Sequence, residues 1–118
     1  MKIAIAQLNP IIGDLSGNAQ KIVAAAHNAV AKNAQLLLTP ELSLCGYPPR
    51  DLLLHPSFIK AMDITLRQLA KDLPPNLTVL VGTATENLKA SIHGGKSLFN
   101  SAALLVGGKV EKILSGLK

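Results

Sequence analysis

The first forty residues switch between two hydrophobic periodicities, and that switch limits the fold more than any other feature. Lys2–Leu8 sets Ile3 and Ile5 between the small Ala4 and Ala6, a period-two pattern rich in branched residues that predicts a strand. Asn9-Pro10 ends it, and Gly13-Asp14 marks a turn. Ser16-Gly17-Asn18 supplies a helix start, with Ser16 or Asn18 as the N-cap. From Ala19 to Lys32 the apolar positions Ile22, Val23, Ala26, Ala29 and Val30 fall on one helical face, and Asn33 is placed to end the helix. Leu36–Leu38 is then a short buried strand. Strand, helix and strand follow with a helix of the length a parallel crossover needs, so a parallel sheet is expected.

The remainder extends that plan. Pro56-Ser57 opens a second helix, with Ser57 as N-cap or Pro56 in the first turn, and Phe58, Met62, Leu66 and Leu69 form its apolar stripe. Leu73-Pro74-Pro75-Asn76 stops it, since neither proline can continue a helix. Leu77–Thr83 reads as a third buried strand, and Glu86–Lys96 as a polar, glycine-containing loop. Ser97–Val106 reads as a long strand, Gly107-Gly108 as a two-residue hairpin turn, and Lys109–Leu114 as the returning strand. The expected class is α/β: βαβαβ followed by a β-hairpin.

With 118 residues the chain holds one domain at most, and a 48% hydrophobic composition is that of a chain with a core to bury. The net charge of +5 is spread along the sequence without basic clusters or interleaved aromatic residues, which argues against nucleic-acid binding. Cys45 is the one cysteine, so no intrachain disulfide and no cysteine metal framework is expected. A strand pattern beginning at Met1-Lys2-Ile3 leaves no room for a signal peptide, and no apolar run reaches the ~18 residues of a bilayer span. A cytoplasmic location follows as an expectation, with no membrane partner.

Chemistry concentrates in Thr39–Leu53. Pro40 cannot donate to a sheet ladder and pushes Thr39 toward extended geometry, so Glu41 is delivered at a strand end. A carboxylate there must be hydrogen-bonded or put to use. Gly46, Pro48 and Pro49 then force an irregular loop before Leu52-Leu53-Leu54 returns the chain to the protein. Glu41 as a turn cap or as a partner for a surface lysine is the structural alternative. Elsewhere, Gly95-Lys96-Ser97 is no phosphate-binding loop: the required upstream glycine position holds Ala90, and the run leads into a strand. His27, His55 and His93 share no metal-ligand spacing, so no metal site is expected. Cys45 has no local histidine partner and reads as a small buried thiol.

Lys2–Pro10 followed by Gly13-Asp14 and Gly17-Asn18 resembles the opening of the nitrilase, or carbon–nitrogen hydrolase, superfamily, and Pro40-Glu41-Leu42 resembles its first catalytic motif. The extension Gly46-Tyr47-Pro48-Pro49-Arg50-Asp51-Leu52-Leu53 is more specific. Together with Phe99-Asn100-Ser101-Ala102 and the Gly107-Gly108 hairpin it resembles the glutaminase domain of bacterial glutamine-dependent NAD+ synthetases. The resemblance implies a nitrilase-like α-β-β-α sandwich, of which residues 1–118 supply the first part, with the synthetase domain absent. It implies a Glu–Lys–Cys triad that hydrolyses glutamine and passes ammonia to a domain using ATP and Mg2+. Glu41 would be the general base, Tyr47 would line the substrate pocket or anchor its loop, and a homo-oligomer is implied.

Two departures qualify that picture. The triad lysine is expected at position 116, where Gly116 stands, leaving Lys118 as the nearest lysine for the oxyanion role. The nucleophilic cysteine of the family lies beyond residue 118, and Cys45 is not in its motif, so the isolated chain is expected to be inactive. The alternatives are another amidase of the superfamily, or a non-catalytic half-domain that binds a partner through an unfinished sheet.

Overall fold

The computed structural model describes residues 1–40, 42–46, 56–86 and 98–114. In chain order the elements are β1 (Ile3–Ile5), α1 (Leu15–Ala31), β2 (Leu36–Leu38), α2 (Pro56–Asp72), β3 (Thr78–Glu86), β4 (Leu98–Val106) and β5 (Lys109–Leu114). They form a five-stranded sheet in the order β1-β2-β3-β4-β5. The first three strands are parallel through the crossovers α1 and α2, whereas β4 and β5 return antiparallel. The expected βαβαβ-plus-hairpin plan is the observed one.

The capping chemistry differs from the sequence expectation. Asp14, not Ser16 or Asn18, caps α1: its carboxylate accepts a hydrogen bond from the Gly17 N–H at 3.1 Å. A Cβ on Gly17 would collide with that carboxylate, so the glycine makes room for the cap. At the other end Lys32 is the C-cap, and Asn33 follows in the left-handed region at φ 65°. The Asn33 N–H donates to the Val30 carbonyl and the Ala34 N–H to the Ala29 carbonyl, both at 2.9 Å, which is a Schellman closure. Pro56 begins α2, in the first turn where its missing N–H costs nothing.

Both helices cover one face of the sheet. Ile22, Ala26 and Ala29 of α1 and Met62, Leu66, Leu69 and Ala70 of α2 meet Leu37, Val79, Val81, Ala103 and Leu105 in a single core. Register explains the selection, because Leu37 pairs with Val79 and Val79 with Leu105, so all three project to the same side. Val30, expected on the buried stripe, is 42% exposed at the outer edge of α1.

The opposite face carries another apolar row. Ile5, Leu38, Leu80 and Leu104 lie side by side across four strands, and Lys112 of β5 continues the row. Among the described residues no layer covers it: Ile5 is 74% exposed, and Leu38, Leu80 and Leu104 are half-buried. At the far edge Gly107 and Gly108 turn the hairpin with φ 59° and 83°, the two positive values a type I′ turn needs. The β4–β5 ladder shifts register between Leu104 and Leu105, so Glu111 is the extra residue of a β-bulge.

Candidate active site

The site expected from sequence begins where β2 ends, and β3 holds the first anchor. Thr39 extends the β2 ladder by donating its N–H to the Leu80 carbonyl at 3.1 Å. Its hydroxyl donates to the same carbonyl at 2.9 Å and accepts from the Gly82 N–H at 3.1 Å. The Ser43 hydroxyl lies 2.8 Å from that of Thr39 and also reaches the Gly82 carbonyl at 3.5 Å. The Ser43 N–H donates to the Pro40 carbonyl at 3.2 Å, and the Leu44 N–H reaches the Gly82 carbonyl at 3.1 Å. Glu41 itself lies outside the described residues, as do Tyr47 and Lys118.

Leu42, next in the chain, has φ 52°. A branched, non-glycine residue in the left-handed region costs about 1–2 kcal/mol and persists only where its surroundings dictate it. Here its side chain is 5% exposed, and its carbonyl accepts the Gly46 N–H at 2.8 Å. Gly46 follows at φ 83°, and a Cβ on it would lie 2.7 Å from the Ile12 Cα. The loop after β1 and the turn after β2 are therefore in direct backbone contact.

Two further links tie those segments together. The Gly13 N–H donates to the Cys45 carbonyl at 2.9 Å. Asn18, 1% exposed on α1, accepts from the Ile11 N–H at 2.8 Å and donates to the carbonyls of Ile11 at 2.8 Å and Leu44 at 3.0 Å. No sequence argument singled Asn18 out for this role. Its place four residues before Ile22, on the stripe that also carries Ala26, was the available signal: a polar residue there needs buried partners.

Cys45 is fully buried, as its sequence environment suggested, with Sγ 3.9 Å from the Leu42 carbonyl. Desolvation pushes its thiol up to about 11, against a lesser lowering by its backbone hydrogen bond. At pH 8 roughly one molecule in a thousand then carries the reactive thiolate. Iodoacetamide is expected to leave the folded chain unlabelled over a period that modifies the urea-unfolded chain completely, with mass spectrometry as the readout. The folded thiol releases its proton at higher pH than the unfolded one, so this group's contribution to stability is complete below pH 9 and declines toward pH 11.

Among the described residues no group of three or more His, Cys, Asp or Glu could hold a metal, and no helix is long and apolar enough to cross a membrane. A cavity of about 240 Å³ lies elsewhere, between β1 and α1, lined by Ala4, Gln7, Asn28, Lys32 and Leu37 among others. It shares no residue with Thr39–Gly46 and bears no carboxylate or thiol.

Residues 2–112 match the model of the carbon-nitrogen hydrolase family. The chain belongs to that family. Over 110 residues it is 53% identical to the glutamine-dependent NAD(+) synthetase of Synechocystis sp., a match that covers 93% of this chain and 20% of that protein. The corresponding protein of Thermotoga maritima is 36% identical over 110 residues, 93% of this chain and 18% of its own length. The chain thus spans about a fifth of the length of those relatives. Among solved structures, glutamine-dependent NAD+ synthetase from Acinetobacter baumannii superposes with a TM-score of 0.81 at 33% identity, covering 96% of this chain and 20% of that one. An amidase of the nitrilase superfamily from Nesterenkonia AN1 superposes at 0.74 with 26% identity, over 98% of this chain and 42% of its own. The nitrilase-like α/β fold expected from sequence is the one observed.

Proposed function

We propose that residues 1–118 are the N-terminal portion of a glutaminase domain that hydrolyses the side-chain amide of glutamine and supplies ammonia for NAD+ synthesis. The observation that carries this reading is the 53% identity to a glutamine-dependent NAD(+) synthetase across nearly the whole chain. The doubly anchored turn around position 41 supports it. Glu41 takes the proton of a cysteine thiol supplied by sequence beyond residue 118, and the thiolate attacks the amide carbon. A lysine, Lys118 or one further along, holds the developing oxyanion. Ammonia leaves with the proton returned by Glu41, and water, activated by the same carboxylate, releases glutamate from the thioester. Tyr47 lines the glutamine pocket. ATP and Mg2+ serve a separate synthetase domain, and the assembled enzyme is a cytoplasmic homo-oligomer. An active-site cysteine is named in a solved structure of the Nesterenkonia amidase, where it carries the acetamide moiety of fluoroacetamide, which fits the nucleophile assigned here.

The open apolar row of Ile5, Leu38, Leu80 and Leu104 favours a second reading, a non-catalytic half-domain that docks a partner there. One chimera separates the two. Residues 2–112 replace the stretch they match in the Synechocystis synthetase, leaving that protein's own downstream residues in place. Retention of glutamine-dependent NAD+ formation is expected. Ammonia-dependent formation alone would show that this segment cannot build a glutaminase.

A further inference from the structure

We propose that Asn18 is a positioning residue for Glu41: by holding the backbones of Ile11 and Leu44 together from α1, it fixes the segment that follows Glu41 in the chain. The inference rests on the reading of Glu41 as that base.

Asparagine is a poor helix former, and burying its amide is unfavourable unless every donor and acceptor finds a partner. Asn18 meets that condition through contacts that do nothing for the helix itself. Its oxygen takes the Ile11 N–H, and its nitrogen gives one hydrogen to the Ile11 carbonyl and one to the Leu44 carbonyl. The Leu44 bond spans 26 residues and connects α1 to the segment that follows Glu41. Elsewhere on this stripe the chain uses Ile22, Ala26 and Ala29, which pack without hydrogen bonds from their side chains.

The turn needs such a tie. Thr39 and Ser43 anchor its near end to β3, but Leu42 is in the left-handed region and would relax toward ordinary geometry if the far end were released. The far end is held by Asn18, by the Leu44–Gly82 and Gly13–Cys45 backbone bonds and by the contact of Gly46 with Ile12. Of these, only the Asn18 tie depends on a side chain that can be exchanged without touching the turn. A general base displaced by an ångström loses rate while substrate binding survives.

The test uses the full-length chimera described above. Asn18→Ala is expected to lower kcat for glutamine about a hundredfold with KM nearly unchanged. Ammonia-dependent synthesis and the melting temperature of the synthetase domain should stay as they were. In a Glu41→Gln background, Asn18→Ala should cost nothing further, because there is no base left to position. An equal loss in both backgrounds would make Asn18 a structural staple and overturn the proposal. A Glu41→Gln chimera that retains glutaminase activity would overturn the reading of Glu41, and the proposal with it. Should Asn18→Ala fail to fold, Asn18→Asp keeps the volume and the acceptor for the Ile11 N–H while removing both donors. It should give the same kcat loss, and a wild-type kcat would refute the proposal.

Discussion

Replacing Glu41 by glutamine in the chimera should reduce glutamine-dependent NAD+ synthesis by a factor on the order of 10² to 10⁴, the range a positioned general base contributes. Glutamine keeps the length of the side chain and one carbonyl acceptor but cannot receive a proton, so with Glu41 as the base the proton-transfer step of the glutamine reaction is lost. Synthesis from added ammonia bypasses this step and should be unaffected. The measurement is the ratio of the two activities in one preparation, which cancels differences in yield. Equal loss of both would assign Glu41 a structural part, the turn cap or surface ion pair that its residue type alone allows.

Gly46→Ala should destabilise the chain by about 3 kcal/mol, combining the strain of a left-handed alanine with an overpacked contact. Gly46 has φ 83°, and its Cβ would meet the Ile12 Cα at 2.7 Å, the Ile12 nitrogen at 2.8 Å and the Ile11 carbonyl carbon at 2.9 Å. Those are backbone atoms, which give way only if the loop after β1 moves. Gly108 supplies the control. It has the same φ of 83°, but an added Cβ would find nothing within 4 Å, so Gly108→Ala carries the conformational cost alone, about 1 kcal/mol. The shift in urea midpoint for each variant tests this pair. Equal shifts would mean that the contact between the two loops contributes little.

The architecture was legible because each element carried its own signal. Ile22, Ala26 and Ala29 mark one helix face, Met62, Leu66 and Leu69 another, and Gly107-Gly108 can turn a hairpin with two positive φ values. What escaped was set by tertiary contact. Asp14 outcompeted Ser16 and Asn18 as N-cap because Asn18 is drawn inward to Ile11 and Leu44, a partner 26 residues away that local spacing cannot reveal. The left-handed Leu42 has no residue-level signature, since its conformation is imposed by burial and by the Gly46 hydrogen bond. The bulge at Glu111 depends on how two strands align, not on either sequence alone. The continuous Leu36-Leu37-Leu38 run did signal a strand with apolar side chains on both faces, though of the three only Leu37 is sealed by the described residues. For the site, Pro40 correctly marked the end of β2, whereas the ties around the turn that follows were invisible until Thr39, Ser43 and Asn18 were placed.

Cys45 has a practical consequence. Because the chain's one thiol is enclosed beneath the turn, the folded protein is already blank for maleimide probes, and the native cysteine need not be removed before labelling. A cysteine introduced at exposed Lys60 on α2, or at exposed Lys109 beside the hairpin, would be the sole accessible attachment point. Labelled together, those positions would report the separation between the helical layer and the outer edge of the sheet. That separation could then be followed in solution with the buried Cys45 left in place.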